Sequence, residues 1–171
     1  MSDPRSPLRL NVGFIIHQQI GYSREFEFNL PHVRLGTDLQ LTDLTGSVRV
    51  SRTPQGLLVQ AKLNALAPAE CVRCLSDFAL KLGTDFSELY AFNKRSITDS
   101  GLILPEDGKI DLEPLLREYM LLEVPISPLC RPDCKGLCSE CGQNLNESVC
   151  EHGAGNIDPR LEVLKSLIKK E

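Results

Sequence analysis

Five of the chain's seven cysteines fall in the single stretch CRPDCKGLCSECGQNLNESVC, from Cys130 to Cys150. No other feature restricts the fold as much. A segment this rich in thiols and this poor in large apolar side chains has little with which to build a core. It needs a cross-link or a metal to hold one shape. In a reducing compartment thiols stay free, so the cysteines read as metal ligands or redox groups, not as a disulfide framework. The odd cysteine count agrees with that reading.

The spacing is that of a zinc site. Cys130, Cys134 and Cys138 are each separated by three residues, and Cys138 and Cys141 by two. Cys150 follows after eight more, with His152 two positions beyond. Two thiolates with two residues between them can reach one tetrahedral ion from a single tight turn. Gly142 lets the chain turn back beneath the sulfurs, where backbone N–H groups can donate to them. A second pair, Cys71-Val72-Arg73-Cys74, lies between two predicted strands.

Seven cysteines and His152 make eight possible ligands. One partition joins Cys138, Cys141, Cys150 and His152 at one zinc, and Cys71, Cys74, Cys130 and Cys134 at another, stapling sheet to tail. The competing partition is one zinc held by Cys134, Cys138, Cys141 and Cys150. Spacing does not choose between one Zn²⁺ and two. Plainer readings stand beside these. Cys71 and Cys74 can be buried small apolar residues, and His152 a surface residue. Arg73, Arg131 and Lys135 read as offsetting thiolate charge and not as phosphate contacts. His17 and His32 read as structural or exposed.

Upstream, the pattern is that of strands. Glu25–Leu30 alternates with Phe26, Phe28 and Leu30 on one face. Ser47–Arg52 and Leu57–Asn64 alternate on either side of the turn Thr53-Pro54-Gln55-Gly56, predicting a β-hairpin. Phe78–Phe92 alternates again, and Leu8–Ile16 is expected to add a strand. Asn93–Ile110 has no period and predicts a mobile loop. Asp111 is expected to cap a helix carrying Leu112, Leu115, Leu116 and Tyr119, ended by Pro125 and Pro128. A short C-terminal helix is expected to open at Asp158-Pro159, with Leu161, Leu164, Leu167 and Ile168 as its apolar stripe. The expected class is α+β: an antiparallel β-sheet platform with a central helix over 1–128, then a zinc-binding cysteine segment and short helix over 129–171.

A net charge of −4 and pI near 5.5 speak against a broad basic surface for nucleic acid. Six Phe, three Tyr and no Trp leave little for a base-stacking platform. No stretch is long and apolar enough for a membrane span or a signal peptide, so the expected location is the cytoplasm. HExxH, the P-loop, GxGxxG before a helix, GxSxG and the deaminase signature are all missing, and four protein donors close a zinc site to water. A non-catalytic scaffold without a small-molecule substrate is the expectation. A thiol redox or zinc-release sensor and a zinc-ribbon interaction adaptor are the alternatives.

Cys71-Val72-Arg73-Cys74-Leu75, then Cys130 through Cys134-Lys135-Gly136-Leu137-Cys138-Ser139-Glu140-Cys141-Gly142-Gln143-Asn144-Leu145-Asn146 and Cys150, then Ile157-Asp158-Pro159-Arg160-Leu161, resemble the bacterial YceD family. The resemblance is most specific from Cys130 onward. It implies a role in large-subunit ribosomal RNA accumulation and ribosome assembly, with the large-subunit precursor as partner through ribosomal proteins or rRNA. It also implies a pathway shared with a zinc-containing large-subunit protein, whose gene commonly neighbours those of the family. No catalytic activity is implied. Members often end the cluster in Cys-x-Cys, and here the second position is His152, itself a competent zinc ligand.

Overall fold

The computed structural model describes residues 7–152. The expected helix from Asp158 lies outside the described residues. The chain divides into two compact units, residues 7–69 with 78–128 and residues 70–77 with 129–152.

The first unit is mostly antiparallel sheet. Four long strands, β2 (Ser23–Leu35), β3 (Leu39–Arg52), β4 (Gly56–Glu70) and β5 (Asp77–Ala91), pair in sequence order as a meander. The expected hairpin is present: Arg52 faces Leu57 across the turn, and the Thr53 N–H donates to the Gly56 carbonyl at 2.9 Å. Alternation holds along β4, where Val59, Ala61, Leu63, Ala65 and Ala67 are buried.

In β3 the alternation changes phase. Leu39 and Leu41 point into the core, and then so do Leu44, Val48 and Val50. The break is Asp43, which holds a left-handed φ of 52°. Four residues of β3, from Thr42 to Thr45, lie opposite three of β4, from Leu66 to Asn64. This is a β-bulge, and the extra residue turns the rest of the strand over. Strand β2 changes phase beside it, from Phe28 to Leu35, across Pro31. Pro31 is tolerated there because β2 is an edge strand. Gly46 follows the bulge at φ 138°. A Cβ there would stand 2.1 Å from the Lys62 carbonyl oxygen, so only glycine lets β3 and β4 approach this closely.

Three expectations need correction. Leu8–Ile16 is not one strand: β1 covers only Arg9–Asn11, and Gly13–Ile16 forms a one-turn helix, α1. Asn93–Ile110 is not a free loop. It holds a 3-10 turn at Lys94–Ser96, and Ala91 exchanges backbone hydrogen bonds with Leu102 and Leu104. It ends in β6 (Lys109–Asp111), which pairs antiparallel with β1 through Leu10 and Ile110. Both side chains are buried, and a pairing at such sequence separation leaves no local signal. Asp111 therefore ends a strand and is not the helix cap.

Helix α2 runs from Glu113 to Leu122 with Leu112 at the cap position. The Asp111 carboxylate still accepts a first-turn bond from the Glu113 N–H at 3.0 Å. Leu112, Leu115, Leu116 and Met120 join the sheet core. Tyr119 stacks on Phe86 at 4.4 Å, and its hydroxyl donates to Glu88. Arg117 clamps Asp38 with two hydrogen bonds, at 2.9 and 2.5 Å. Among the described residues, no helix is long and apolar enough to cross a membrane.

Candidate metal centres

The second unit has almost no apolar core. Among its described residues, the apolar side chains that are buried are four cysteines: Cys71, Cys74, Cys134 and Cys138. What packs its centre is sulfur.

Its first part is the connection between β4 and β5. The Cys71 N–H donates to the Ser76 carbonyl at 3.0 Å, and the Leu75 N–H donates to the Cys71 carbonyl at 2.9 Å. These bonds fold Cys71-Val72-Arg73-Cys74 into a tight turn with both sulfurs on one side. Leu75 closes the turn with φ 56°, an uncommon conformation for a branched side chain. Leu129 onward forms the rest. The Cys134 N–H donates to the Arg131 carbonyl at 3.1 Å, which presents Cys130 and Cys134 together.

Cys71, Cys74, Cys130 and Cys134 form one group, with every sulfur within 4.8 Å of the others. Cys71 and Cys134 sulfurs are 3.7 Å apart, and Cys74 and Cys130 sulfurs 3.6 Å. Four sulfurs at zinc–sulfur distances of about 2.3 Å in a tetrahedron would be about 3.8 Å apart. Two of the pairs match that separation and the rest lie within 4.8 Å, so the donor set suits a soft tetrahedral ion. Asn146 Nδ2 lies 3.3 Å from the Cys134 sulfur, in position to donate to a thiolate.

A second turn repeats the first. The Gly142 N–H donates to the Cys138 carbonyl at 2.9 Å, and Gly142 takes φ 71°. The flanks close as a small hairpin in which Leu137 bridges Asn144 and the Cys138 N–H donates to the Gln143 carbonyl. Cys138, Cys141, Cys150 and His152 bring their donor atoms within 4.8 Å of one another. This mixed group is more open than the all-cysteine group: Cys141 and His152 are exposed.

Thiol ionisation points the same way in both groups. Burial pushes the Cys71 thiol up, yet the N–H groups of Cys130, Cys74 and Arg73 outweigh it and bring the pKa down to about 6. The Ser76 hydroxyl and N–H hold Cys74 low. Burial and the sulfurs of Cys74, Cys134 and Cys71 push Cys130 up to about 12. In the mixed group the N–H groups of Cys141 and Glu140 lower Cys138 to about 7, while Cys138 in turn raises Cys150. Each cluster favours some thiolates and then penalises the remaining ones. A bound cation removes that penalty.

All eight sequence-predicted donors thus fall into two groups of four, as in the first partition. Cys134 groups with Cys71 and not with Cys138. Arg73 Nη1 donates to the Cys134 carbonyl at 3.0 Å, and Arg131 pairs with Asp133 at 3.7 Å. His17 and His32 are exposed and stand outside both groups. Sequence reasoning missed the roles of Asn144 and Asn146. Asn146 Oδ1 accepts from the Lys135 N–H at 2.8 Å, and the Asn146 amide groups donate to Asn144 Oδ1. The available signal was the pair of asparagines two apart, just after a cysteine turn.

An antiparallel sheet unit joined to a cysteine-centred unit with two four-donor groups defines a class of candidate metal-binding scaffold. Residues 59–168 match the family described as Large ribosomal RNA subunit accumulation protein YceD, and the chain belongs to that family. An uncharacterized protein of Mycobacterium tuberculosis is 36% identical over 147 residues, 81% of this chain and 70% of the relative. Bacillus subtilis YlbN is 30% identical over 103 residues, 59% of this chain and 60% of the relative. A shorter match, 41% over 49 residues, covers 29% of this chain and 15% of an Arabidopsis thaliana protein named Large ribosomal RNA subunit accumulation protein YCED homolog 1, chloroplastic. No solved structure matches the chain.

Proposed function

We propose that the protein is a zinc-stabilised, non-catalytic factor that supports large-subunit ribosomal RNA accumulation and ribosome assembly in the cytoplasm. The observation that carries the zinc part is the core of the second unit, whose buried apolar side chains are cysteines. Such a unit gains its shape from metal binding, because the binding energy of the ion is folding energy. The ligands are Cys71, Cys74, Cys130 and Cys134 at one ion, and Cys138, Cys141, Cys150 and His152 at the other. Four protein donors leave neither ion a position for water, which supports a structural and not a hydrolytic role.

Family membership and the names of the plant relatives support the ribosomal part. The partner is the large-subunit precursor, reached through ribosomal proteins or rRNA. The acidic balance of the chain favours basic ribosomal proteins as the direct contact. There is no small-molecule substrate.

The test is sucrose-gradient fractionation of native lysate at low magnesium, with immunodetection of the protein and elemental analysis of the purified chain. The expected result is two zinc ions per chain and co-migration with large-subunit precursors that chelation abolishes. A zinc-free chain that keeps its fold would overturn the metal role. A zinc-loaded chain confined to the top of the gradient would move the reading to an adaptor in another complex.

A further inference from the structure

The two centres are not equivalent, and their scaffolds are arranged in a hierarchy. The all-cysteine centre is closed by its own short turns. Three of its four sulfurs belong to buried residues. Two of the mixed centre's four ligands, Cys138 and Cys141, sit on the 137–144 hairpin, and that hairpin is tied to the first centre's frame. The Leu137 N–H donates to the Arg73 carbonyl at 3.1 Å, inside the first Cys-x-x-Cys turn. Gly136, at φ 77°, makes this approach possible, since a Cβ there would stand 3.1 Å from the same carbonyl oxygen. On the other side of the hairpin, the Leu145 N–H donates to the Gly136 carbonyl at 2.9 Å. Asn146 then reaches the Cys134 sulfur.

Ligand chemistry and access differ in the same direction. Four thiolates hold a soft ion more strongly than three thiolates and an imidazole. An incoming chelator can approach the mixed centre through exposed Cys141 and His152, whereas the other centre exposes no ligand fully. Coupling between two sites is reciprocal in free energy, so the order of filling comes from unequal intrinsic affinities.

We propose that the mixed centre is an exchangeable zinc site mounted on the all-cysteine centre: it fills second, empties first, and its loss leaves the first centre occupied. This rests on the zinc reading above. It makes the surface around Cys141 and His152 responsive to free zinc, while the all-cysteine centre stays folded throughout. Asn146 is a positioning residue that couples the two.

Cobalt tests this on the full chain, because tetrathiolate and trithiolate–imidazole Co²⁺ centres differ in their visible bands. The chain loaded with two equivalents is mixed with excess EDTA. The expected result is a trithiolate–imidazole spectrum lost about tenfold or more faster than the tetrathiolate one. Cys141→Ser should retain one equivalent with a tetrathiolate spectrum, whereas Cys74→Ser should lose both. Asn146→Ala should still bind two equivalents but release the mixed-centre ion about tenfold faster, because Asn146 ties Asn144 of the hairpin to Cys134. His152→Cys should slow the first phase, a gain that misfolding cannot mimic. Simultaneous release, tetrathiolate loss first, or a Cys74→Ser chain that keeps the mixed centre would each overturn the hierarchy and leave the zinc reading standing. A wild-type chain that binds no metal would overturn both.

Discussion

Leu75 and Gly142 occupy the same place in two copies of one turn. Each follows the second cysteine of a Cys-x-x-Cys segment, each donates its N–H to the carbonyl of the first cysteine at 2.9 Å, and each takes a left-handed φ, 56° and 71°. One position has the residue suited to that conformation and the other does not. A non-glycine residue there costs about 1–2 kcal/mol. Against this, glycine adds about 0.5–1 kcal/mol of unfolded-chain entropy. Leu75→Gly is therefore expected to stabilise the protein by up to about 1 kcal/mol. A Cβ at Gly142 would meet nothing within 4 Å, so Gly142→Ala should destabilise by about 1 kcal/mol through backbone conformation alone. Chemical denaturation of both variants measures the pair, and a destabilised Leu75→Gly chain would mean that the exposed leucine makes contacts worth more than its strain.

Gly46 presents a harder constraint. The obstacle to a side chain there is backbone, the Lys62 carbonyl, and not a side chain that could swing away. Gly46→Ala should cost about 3 kcal/mol or more, since β3 and β4 must separate to admit it. Thermal unfolding followed by far-UV circular dichroism gives the value. A loss under about 1 kcal/mol would mean the strands are not held this close.

The bulge predicts an effect of deletion out of proportion to the residue removed. Asp43 is exposed and lies outside the core cluster, yet it sets which face Leu39 and Leu41 occupy relative to Leu44 and Val48. Deleting it should yield a chain that does not fold to a single state, seen as collapsed amide dispersion in an NMR correlation spectrum. Asp43→Gly keeps the residue count and suits the positive φ. It should fold normally.

Removing metal should act unequally on the two units. The first unit has its own apolar core of leucines, valines and aromatics, while the second relies on buried sulfur. Chelation is expected to collapse the amide signals of residues 70–77 and 129–152 and to spare those of β2 and β3. Full retention of the second unit's signals would show that metal is not what holds it.

Tyr119 gives a pH-dependent signature. The hydrogen bond to Glu88 holds its hydroxyl protonated and raises the pKa to about 12. A raised acid contributes stability while it keeps its proton, below the unfolded value of about 10. That contribution disappears as the pH rises from there through about 12. Tyr119→Phe should therefore remove part of the stability loss in this alkaline window and leave neutral pH little changed in slope. Ultraviolet titration at 295 nm, wild type minus variant, should show a transition near 12.

Much of this protein was readable in one dimension because its signals are local. Alternation in Leu57–Asn64 follows from the two-residue period of a strand with one wet face, and Thr53–Gly56 from turn chemistry. The Cys-x-x-Cys spacing follows from how far one tight turn can place two sulfurs apart. Each reports on residues a few positions away, and each is found in the structure. The sequence by itself determined that strands and a helix would precede a cysteine-rich segment, and which eight side chains could offer themselves to metal.

The tertiary structure decided the rest. It brought Cys134 to Cys71 and not to Cys138, although Cys138 is four positions away and Cys71 is far off in the chain. It paired β1 with β6, turning a featureless stretch into a strand and moving Asp111 from cap to strand end. It also placed an extra residue at Asp43 and shifted which positions of β3 point inward. The physical reason is common to all three. Long-range partners are selected by which surfaces and donor atoms can be satisfied together after the chain has closed, and no period in the sequence records that choice.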